Sequence, residues 1–178
     1  MDVSNIKSDK VNTTTGIKVG SESAPVKVIE FINLACPYCK IWYEDSKDLL
    51  TEYVFAGKVQ RIIKHFDKET AGLRKGNVLH QYLDYSDPEK ALEEIDFFFA
   101  HQKEWGRLTN SDEIAAYAVE KRNLTLQSNG TKVKEIVQEA NGAEIVLVPT
   151  VFIEEDIFDE NIKQQELKGL IKARIEQV

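Results

Sequence analysis

The sequence predicts an α/β fold in which a helical segment is inserted into a small sheet-containing core. Three observations support this. Residues 26–32 and 58–66 are strand-like runs on either side of a helical pattern, which together form a β-α-β unit. No strand-like run follows between residues 69 and 142. Strand character returns at residues 145–153, so the intervening stretch is predicted to be an all-helical insertion.

Length and charge exclude several classes of protein. A chain of 178 residues is long enough for one compact domain, or for one core fold that carries a subdomain. Its 30 acidic and 23 basic side chains give a net charge of -7, which repels phosphate backbones, so no nucleic acid partner is expected. The longest strongly apolar runs, residues 97–100 and 145–148, are far shorter than the roughly 20 residues of a membrane span.

The beginning of the chain favours a cytoplasmic protein. Residues 1–25 scatter a few apolar side chains among polar ones and contain no apolar core typical of a signal peptide. The chain has only two cysteines, three positions apart, whereas a secreted disulfide framework needs more pairs spread along the sequence. A cytoplasmic location is therefore expected, with an exported protein that has lost its leader as the alternative.

The first strand and the helix after it can be placed from their apolar patterns. Residues 26–32 are apolar on both faces, as in a central strand covered by helices, and only Glu30 breaks the pattern. A helix should begin at or near Cys36 and end at Gly57. Its apolar side chains recur at helical spacing: Trp42, Leu49, Leu50, Tyr53 and Val54. Residues 58–66 are rich in β-branched side chains and predict the next strand.

Turn and capping residues divide the rest of the chain. Ser86-Asp87-Pro88 and Ser111-Asp112-Glu113 begin helices, and Asn141-Gly142 ends one. Residues 145–153 predict a strand interrupted by Pro149, which pairs with a short strand near Ile157 across residues 154–156. An apolar stripe predicts a closing helix after residue 166. The predicted domains are therefore a core of residues 1–68 and 143–178 and a helical insertion of residues 69–142.

The motif Cys36-Pro37-Tyr38-Cys39 lies at the predicted turn from strand to helix. Cys36 would be the N-cap and Pro37 the first helical residue, and Cys39 would lie one turn further on the same side. Free backbone N–H groups and the helix dipole favour a thiolate at Cys36, which makes this sulfur the attacking group. Cys39, shielded by the helix, would resolve the mixed disulfide.

A zinc site is the main alternative for this motif, and incidental core cysteines are another. Structural zinc needs about four ligands. The chain has no further cysteine, and its three histidines, His65, His80 and His101, do not form a second ligand pair. The histidines are therefore interpreted as ordinary core or surface residues, and no metal or bound cofactor is expected.

The segment VIEFINLACPYCK, residues 28–40, resembles the active-site segment of the DsbA-like branch of the thioredoxin superfamily. The resemblance implies a thioredoxin fold with an inserted helical cap. It also implies that Glu30, six residues before Cys36, is the buried acid of that family. Val148-Pro149-Thr150 resembles its cis-proline element. Near-complete burial would favour the neutral form of Glu30, so this carboxyl could relay a proton to or from Cys39. Glu30→Gln is then expected to slow exchange without disturbing the fold.

These expectations define a candidate site and a function. Cys36, Cys39, Glu30 and Pro149 are the candidate catalytic residues, and Pro37, Tyr38, Val148 and Thr150 are the candidate substrate-binding residues. The expected function is dithiol-disulfide exchange with cysteine-containing proteins. Pro37 and Tyr38 match the dipeptide of glutaredoxins, which leaves a glutathione-linked reductase as a rival. A redox-sensing adaptor that binds a redox partner protein without catalysis is a third alternative.

Overall fold

The computed structural model describes residues 1–177. The chain forms five strands: β1 (Ile17–Val19), β2 (Val26–Ile32), β3 (Val59–His65), β4 (Thr150–Ile153) and β5 (Asp156–Phe158). Its helices are α1 (Pro37–Phe55), α2 (Arg74–His80), α3 (Pro88–Ala100), α4 (Gln102–Trp105), α5 (Ser111–Arg122), α6 (Gly130–Gly142) and α7 (Gln164–Glu176). The strands make one sheet in the order β1-β3-β2-β4-β5, in which only β2 and β3 are parallel.

The β-α-β unit predicted from the sequence is confirmed. β2 and β3 are parallel and fully paired from Val26 to Ile32. α1 connects them and ends just before Gly57, whose φ of +68° lies in the left-handed region that favours glycine. Because helices cover both faces of this sheet, β2 and β3 are buried along almost their whole length, which explains their continuous apolar runs.

Two buried ion pairs show how the helices cover the sheet. On one face, Arg61 of β3 pairs with Glu30 of β2 beneath α1. On the other face, Lys64 of β3 pairs with Glu139 of α6. Arg61 and Lys64 are three residues apart on one strand, so their side chains point to opposite faces.

Helices α2 to α6 lie between β3 and β4 in the chain, where the sequence predicted helices and no strand. Asp87 and Asn110 cap α3 and α5 by accepting hydrogen bonds from Lys90 N and Glu113 N. Apolar side chains of these helices share one continuous core with the sheet, among them Ile95, Phe98 and Ile136. Helix α6 packs directly against β3, so the helical segment is in contact with the sheet. The domain limits at residues 68 and 143 stay a prediction.

Two sequence interpretations were wrong in detail. The strand predicted for residues 145–153 covers only Thr150–Ile153, since residues 145–149 form an irregular loop. β1 was missed because three residues are too few to show an apolar period. The hairpin of β4 and β5 is present, and Glu154 takes the left-handed conformation (φ +53°) where glycine would be usual.

None of the helices within residues 1–177 combines the length and the apolar character needed to cross a bilayer.

Candidate active site

Cys36 lies at the N-cap of α1 and Pro37 is the first helical residue, as the sequence predicted. The Cys36 Sγ accepts a hydrogen bond from the backbone N–H of Cys39 at 3.4 Å. Proline is tolerated at the start of a helix because no intrahelical partner exists there for its missing N–H. The backbone N–H groups of the first turn of α1 also lack intrahelical partners, and they stabilise negative charge on the sulfur of Cys36 at the N-cap.

The two thiols have opposite environments. A hydrogen bond from the Cys39 side chain, aided by the backbone N–H groups of Cys39 and Tyr38, lowers the pKa of Cys36 to about 7 against the opposing effect of partial burial. Complete burial raises the pKa of Cys39 well above its usual value. Both cysteines are free thiols in the structure. At neutral pH, Cys36 is thus the sulfur that carries the thiolate.

The loop before β4 lies against Cys36. The Cys36 thiol donates to the backbone oxygen of Val148 at 3.3 Å. The Val148–Pro149 peptide bond is cis. Thr150 is fully buried, and its hydroxyl donates to Leu147 O at 2.7 Å. The side chain of Thr150 therefore holds this loop in place and is shielded from solvent, and its assignment as a substrate-binding residue stays a prediction. Val148 has a backbone oxygen directly at the sulfur.

Glu30 is buried as the sequence predicted, but it is not an isolated carboxyl. Arg61 donates to both of its oxygens, Nε to Oε1 at 2.8 Å and Nη2 to Oε2 at 3.0 Å. Trp42 Nε1 donates to Oε2 at 2.8 Å. The sequence analysis took this carboxyl to be isolated, whereas the structure pairs both of its oxygens with the guanidinium of Arg61.

The carboxyl of Glu30 does not hydrogen-bond to the sulfur of Cys39 directly, and its role as a proton relay stays a prediction. Trp42 follows Cys39 by three residues on the same face of α1, so the carboxylate meets this helix one turn beyond the sulfur. Within residues 1–177, the side chain of Glu30 bonds to Arg61 and Trp42 and makes no hydrogen bond to Cys39. The Cys39 Sγ instead accepts from Asn33 N at 3.4 Å.

Asn33 organises the loop that leads to the motif, and the sequence analysis did not single it out. Its side chain accepts from Ala35 N at 2.9 Å and donates to Phe66 O at 3.1 Å. It also donates to Asn77 of α2 at 3.0 Å. A Cβ at Gly76 would lie 2.1 Å from Asn33 Oδ1, so only glycine lets α2 approach this closely. The glycine inside a helical pattern was the available signal.

His80 is a second residue that the sequence analysis undervalued. It is fully buried, and its Nε2 accepts the backbone N–H of Leu34 at 3.2 Å. The ring proton must then be on Nδ1, which donates to Asp67 at 2.6 Å. Through this pair, α2 fixes the backbone two residues before Cys36. No sequence pattern marks His80, because its partners lie 46 and 13 residues away.

His65 is buried beside His80, with ring centroids 4.8 Å apart. Neither of its ring nitrogens has a hydrogen-bond partner within residues 1–177. Burial, with a smaller contribution from His80, lowers the pKa of His65 well below its usual value, so this ring is neutral near pH 7.

A family model described as Thioredoxin matches residues 12–173, which is most of the chain. The chain belongs to the thioredoxin family. A solved structure of a conserved protein of unknown function from Enterococcus faecalis V583 is 51% identical to this thioredoxin-family protein. It superposes with a TM-score of 0.94 and covers 97% of this chain and 98% of that one.

More distant thioredoxin-fold structures define the architecture. α-DsbA1 from Wolbachia pipientis is 18% identical, with a TM-score of 0.72 and coverage of 97% of both chains. BdbD from Bacillus subtilis is 14% identical, with a TM-score of 0.66, and covers 93% of this chain and 100% of that one. At such identities these two show the fold alone, and the DsbA-like thioredoxin fold predicted from the sequence is confirmed. No curated protein matches this thioredoxin-family sequence.

Proposed function

We propose that the protein is a thiol-disulfide oxidoreductase that acts on cysteine-containing proteins through Cys36. The supporting observation is the contrast between its two thiols: the pKa of Cys36 is lowered to about 7, whereas burial raises that of Cys39. A pair with one thiolate and one protected thiol suits a two-step exchange in which the attacking and resolving sulfurs differ.

In the reducing direction, the two cysteines of the protein reduce a client disulfide in two steps. The Cys36 thiolate attacks one sulfur of a client disulfide, forms a mixed disulfide and expels the second client sulfur as a thiolate. Cys39 gives up its proton, which the expelled thiolate takes, and its sulfur attacks Cys36. The Cys36–Cys39 disulfide forms while the first client sulfur leaves and takes a proton from solvent. The client gains two electrons, and the reverse sequence oxidises a client dithiol.

The surroundings of Cys36 supply contacts for a polypeptide. Val148 O lies at the sulfur, where a bound strand could place an N–H group. Three large apolar side chains are more than half exposed, one in the motif and two in the loop that contacts Cys36 through Val148: Tyr38, Val146 and Leu147. Exposed apolar groups beside a reactive thiol favour a protein client over a small polar thiol. Pro37 and Tyr38 are accordingly proposed as client contacts, together with Val148.

The experiment that tests this function is trapping of clients in cell extract. Cys39→Ser keeps the attacking sulfur but lacks the resolver, so it should accumulate mixed disulfides with proteins that are released by dithiothreitol. Cys36→Ser is the matched control and should trap none. Equal trapping by the two variants, or none by either, would contradict the proposal. The same variants distinguish the rival reading, since a glutathione-linked reductase retains glutathione-dependent turnover in Cys39→Ser.

We also propose a cytoplasmic location. The use of both cysteines of the chain in a single motif supports it, because structural disulfides typical of secreted domains are then lacking. Fractionation of the source cell, with the redox state of the two thiols trapped by alkylation, tests the location and the direction of electron flow together.

A further inference from the structure

A cavity of about 470 Å³ lies directly beside the motif. Ala35 and Pro37, the two neighbours of Cys36, form one wall of it. The rest of the lining comes from α2 and Gly72, which precedes it, and from α4 and the two residues that follow it. The volume is within the range of pockets that hold a ligand or a few residues of a peptide.

A side chain that lines the cavity is hydrogen-bonded to the backbone at the motif. Gln102, at the start of α4, donates from Nε2 to Leu34 O at 2.8 Å and to Cys36 O at 3.0 Å. Trp105, fully buried, forms part of the lining and donates its indole N–H to Phe98 O at 2.7 Å. The wall opposite Pro37 is therefore held at a fixed distance from the reactive cysteine.

The charged lining of the cavity has a single sign. Lys75, Lys103 and Arg107 line it, and no Asp or Glu does. Within residues 1–177, none of the three cations is in an ion pair. Lys75 donates to Gly106 O at 2.7 Å, whereas Lys103 and Arg107 are exposed. On a protein with a net charge of -7, such a grouping favours an anionic ligand at this place.

We propose that this cavity binds acidic side chains of a client polypeptide, close in sequence to the client cysteine that Cys36 attacks. The inference rests on the proposed function and names the substrate class of that site. Cys36 itself does not line the cavity, although both of its neighbours do. A ligand that reaches the sulfur and the cations together must extend past its own cysteine, and each further residue of an extended chain adds about 3.3 Å.

Electrostatic attraction of this kind raises the association rate and weakens with salt. The probes are short peptides whose single cysteine is activated as a neutral thiopyridyl disulfide. They are identical except for two residues, two and three positions after the cysteine, that are both Glu, both Gln or both Lys. Release of thiopyridone reports attack by Cys36 in the Cys39→Ser background.

The Glu peptide should react about tenfold faster than the Gln peptide at low ionic strength, and the Lys peptide should be slowest. At about 1 M salt, where the Debye length falls to roughly 3 Å, the three rates should converge. Lys103→Gln/Arg107→Gln should remove most of the advantage of the Glu peptide. Lys75 is left unchanged in this variant, because its ammonium group also donates a hydrogen bond to Gly106 O in the lining of the cavity. Lys168→Gln/Lys172→Gln on α7 is the matched control, since it removes the same charge from exposed positions outside the cavity.

Each other outcome overturns the inference in a distinguishable way. Equal rates for the three peptides would reject the acidic-client site and leave the exchange function standing. Equal losses in the two double variants would assign the preference to net charge and reject the cavity. A preference for glutathione disulfide over neutral hydroxyethyl disulfide, without any preference among the peptides, would assign the cavity to small anionic thiols. Failure of all peptides to react with Cys36 would reject the proposed function itself.

Discussion

Arg61 holds Glu30 in a bidentate ion pair inside the sheet, where the two side chains are 1% and 0% exposed. They lie two positions apart on the neighbouring strands β2 and β3, since Arg61 is in register with Val28. Their pairing changes the experiment that the sequence suggested, because Glu30→Gln now leaves a buried guanidinium without its counter-charge.

We predict that Glu30→Gln lowers the free energy of unfolding by about 3–5 kcal/mol, the usual cost of breaking a buried pair from one side. The added change Arg61→Met should recover most of this loss, because no unpaired charge then remains buried. Chemical denaturation of the two single variants and the double variant measures the coupling. Full stability of Glu30→Gln would show that the pair is not formed in solution.

We predict that alkylation of Cys36 follows an ionisation near pH 7, whereas Cys39 stays unreactive in the native protein. Because the Cys39 side chain is the largest cause of the lowered pKa, Cys39→Ala should raise the apparent pKa of Cys36, and Cys39→Ser, which keeps a donor, should raise it less. Mass spectrometry of samples alkylated across pH 5 to pH 9 gives the profiles. Identical profiles for the two variants would remove this role from the Cys39 side chain.

Replacement of His80 should loosen the loop before the motif. His80→Phe removes the acceptor of the Leu34 N–H, so amide hydrogen exchange at Leu34 should accelerate by at least about tenfold, which corresponds to 1.4 kcal/mol. His80→Phe should also shift the pH profile of Cys36 alkylation. A role of His80 in stability alone would leave that profile unchanged. His101→Gln is the control, because within residues 1–177 the ring of His101 hydrogen-bonds only to Phe97 O, one helical turn before it. An unchanged Leu34 amide in His80→Phe would contradict the positioning role.

The buried neutral His65 makes stability depend on pH in a defined direction. Its pKa is lowered in the folded state, so below about pH 6.5 the unfolded chain binds a proton that the folded protein does not. The free energy of unfolding should therefore fall as the pH drops, by up to about 1.4 kcal/mol per unit from this group. His65→Phe should weaken this slope between pH 6.5 and pH 5. Parallel stability curves for the variant and the wild type would refute the assignment.

The residue between the cysteines should set the redox potential. Tyr38 is exposed and offers no cationic donor to the Cys36 thiolate. We expect a potential in the glutaredoxin range, about -200 to -230 mV, and a higher value in Tyr38→His, because a histidine stabilises the thiolate and so the reduced form. Equilibration with glutathione buffers measures both. A wild-type potential well below about -270 mV, the thioredoxin value, would indicate a reductant or a structural disulfide.

The sequence by itself determined the features that depend on neighbouring residues. The run of residues 26–32, the proline after Cys36 and the glycine at position 57 placed β2, α1 and the motif between them, since strand and helix periods and caps act over a few residues. The same local signals placed α3 and α5. They also carried the resemblance to the DsbA-like proteins, which the family match and the solved structures confirmed.

The tertiary structure decided which distant groups meet. Glu30 forms an ion pair with Arg61, 31 residues away, and is therefore not an isolated carboxyl. Leu34 donates a hydrogen bond to His80 across 46 residues, and Cys36 donates one to Val148 across 112. The cationic cavity likewise joins the motif to α2 and α4. No periodic pattern encodes such pairs, because the partner of a buried polar group is set by how sheet and helices pack, and many partners would satisfy the same local sequence.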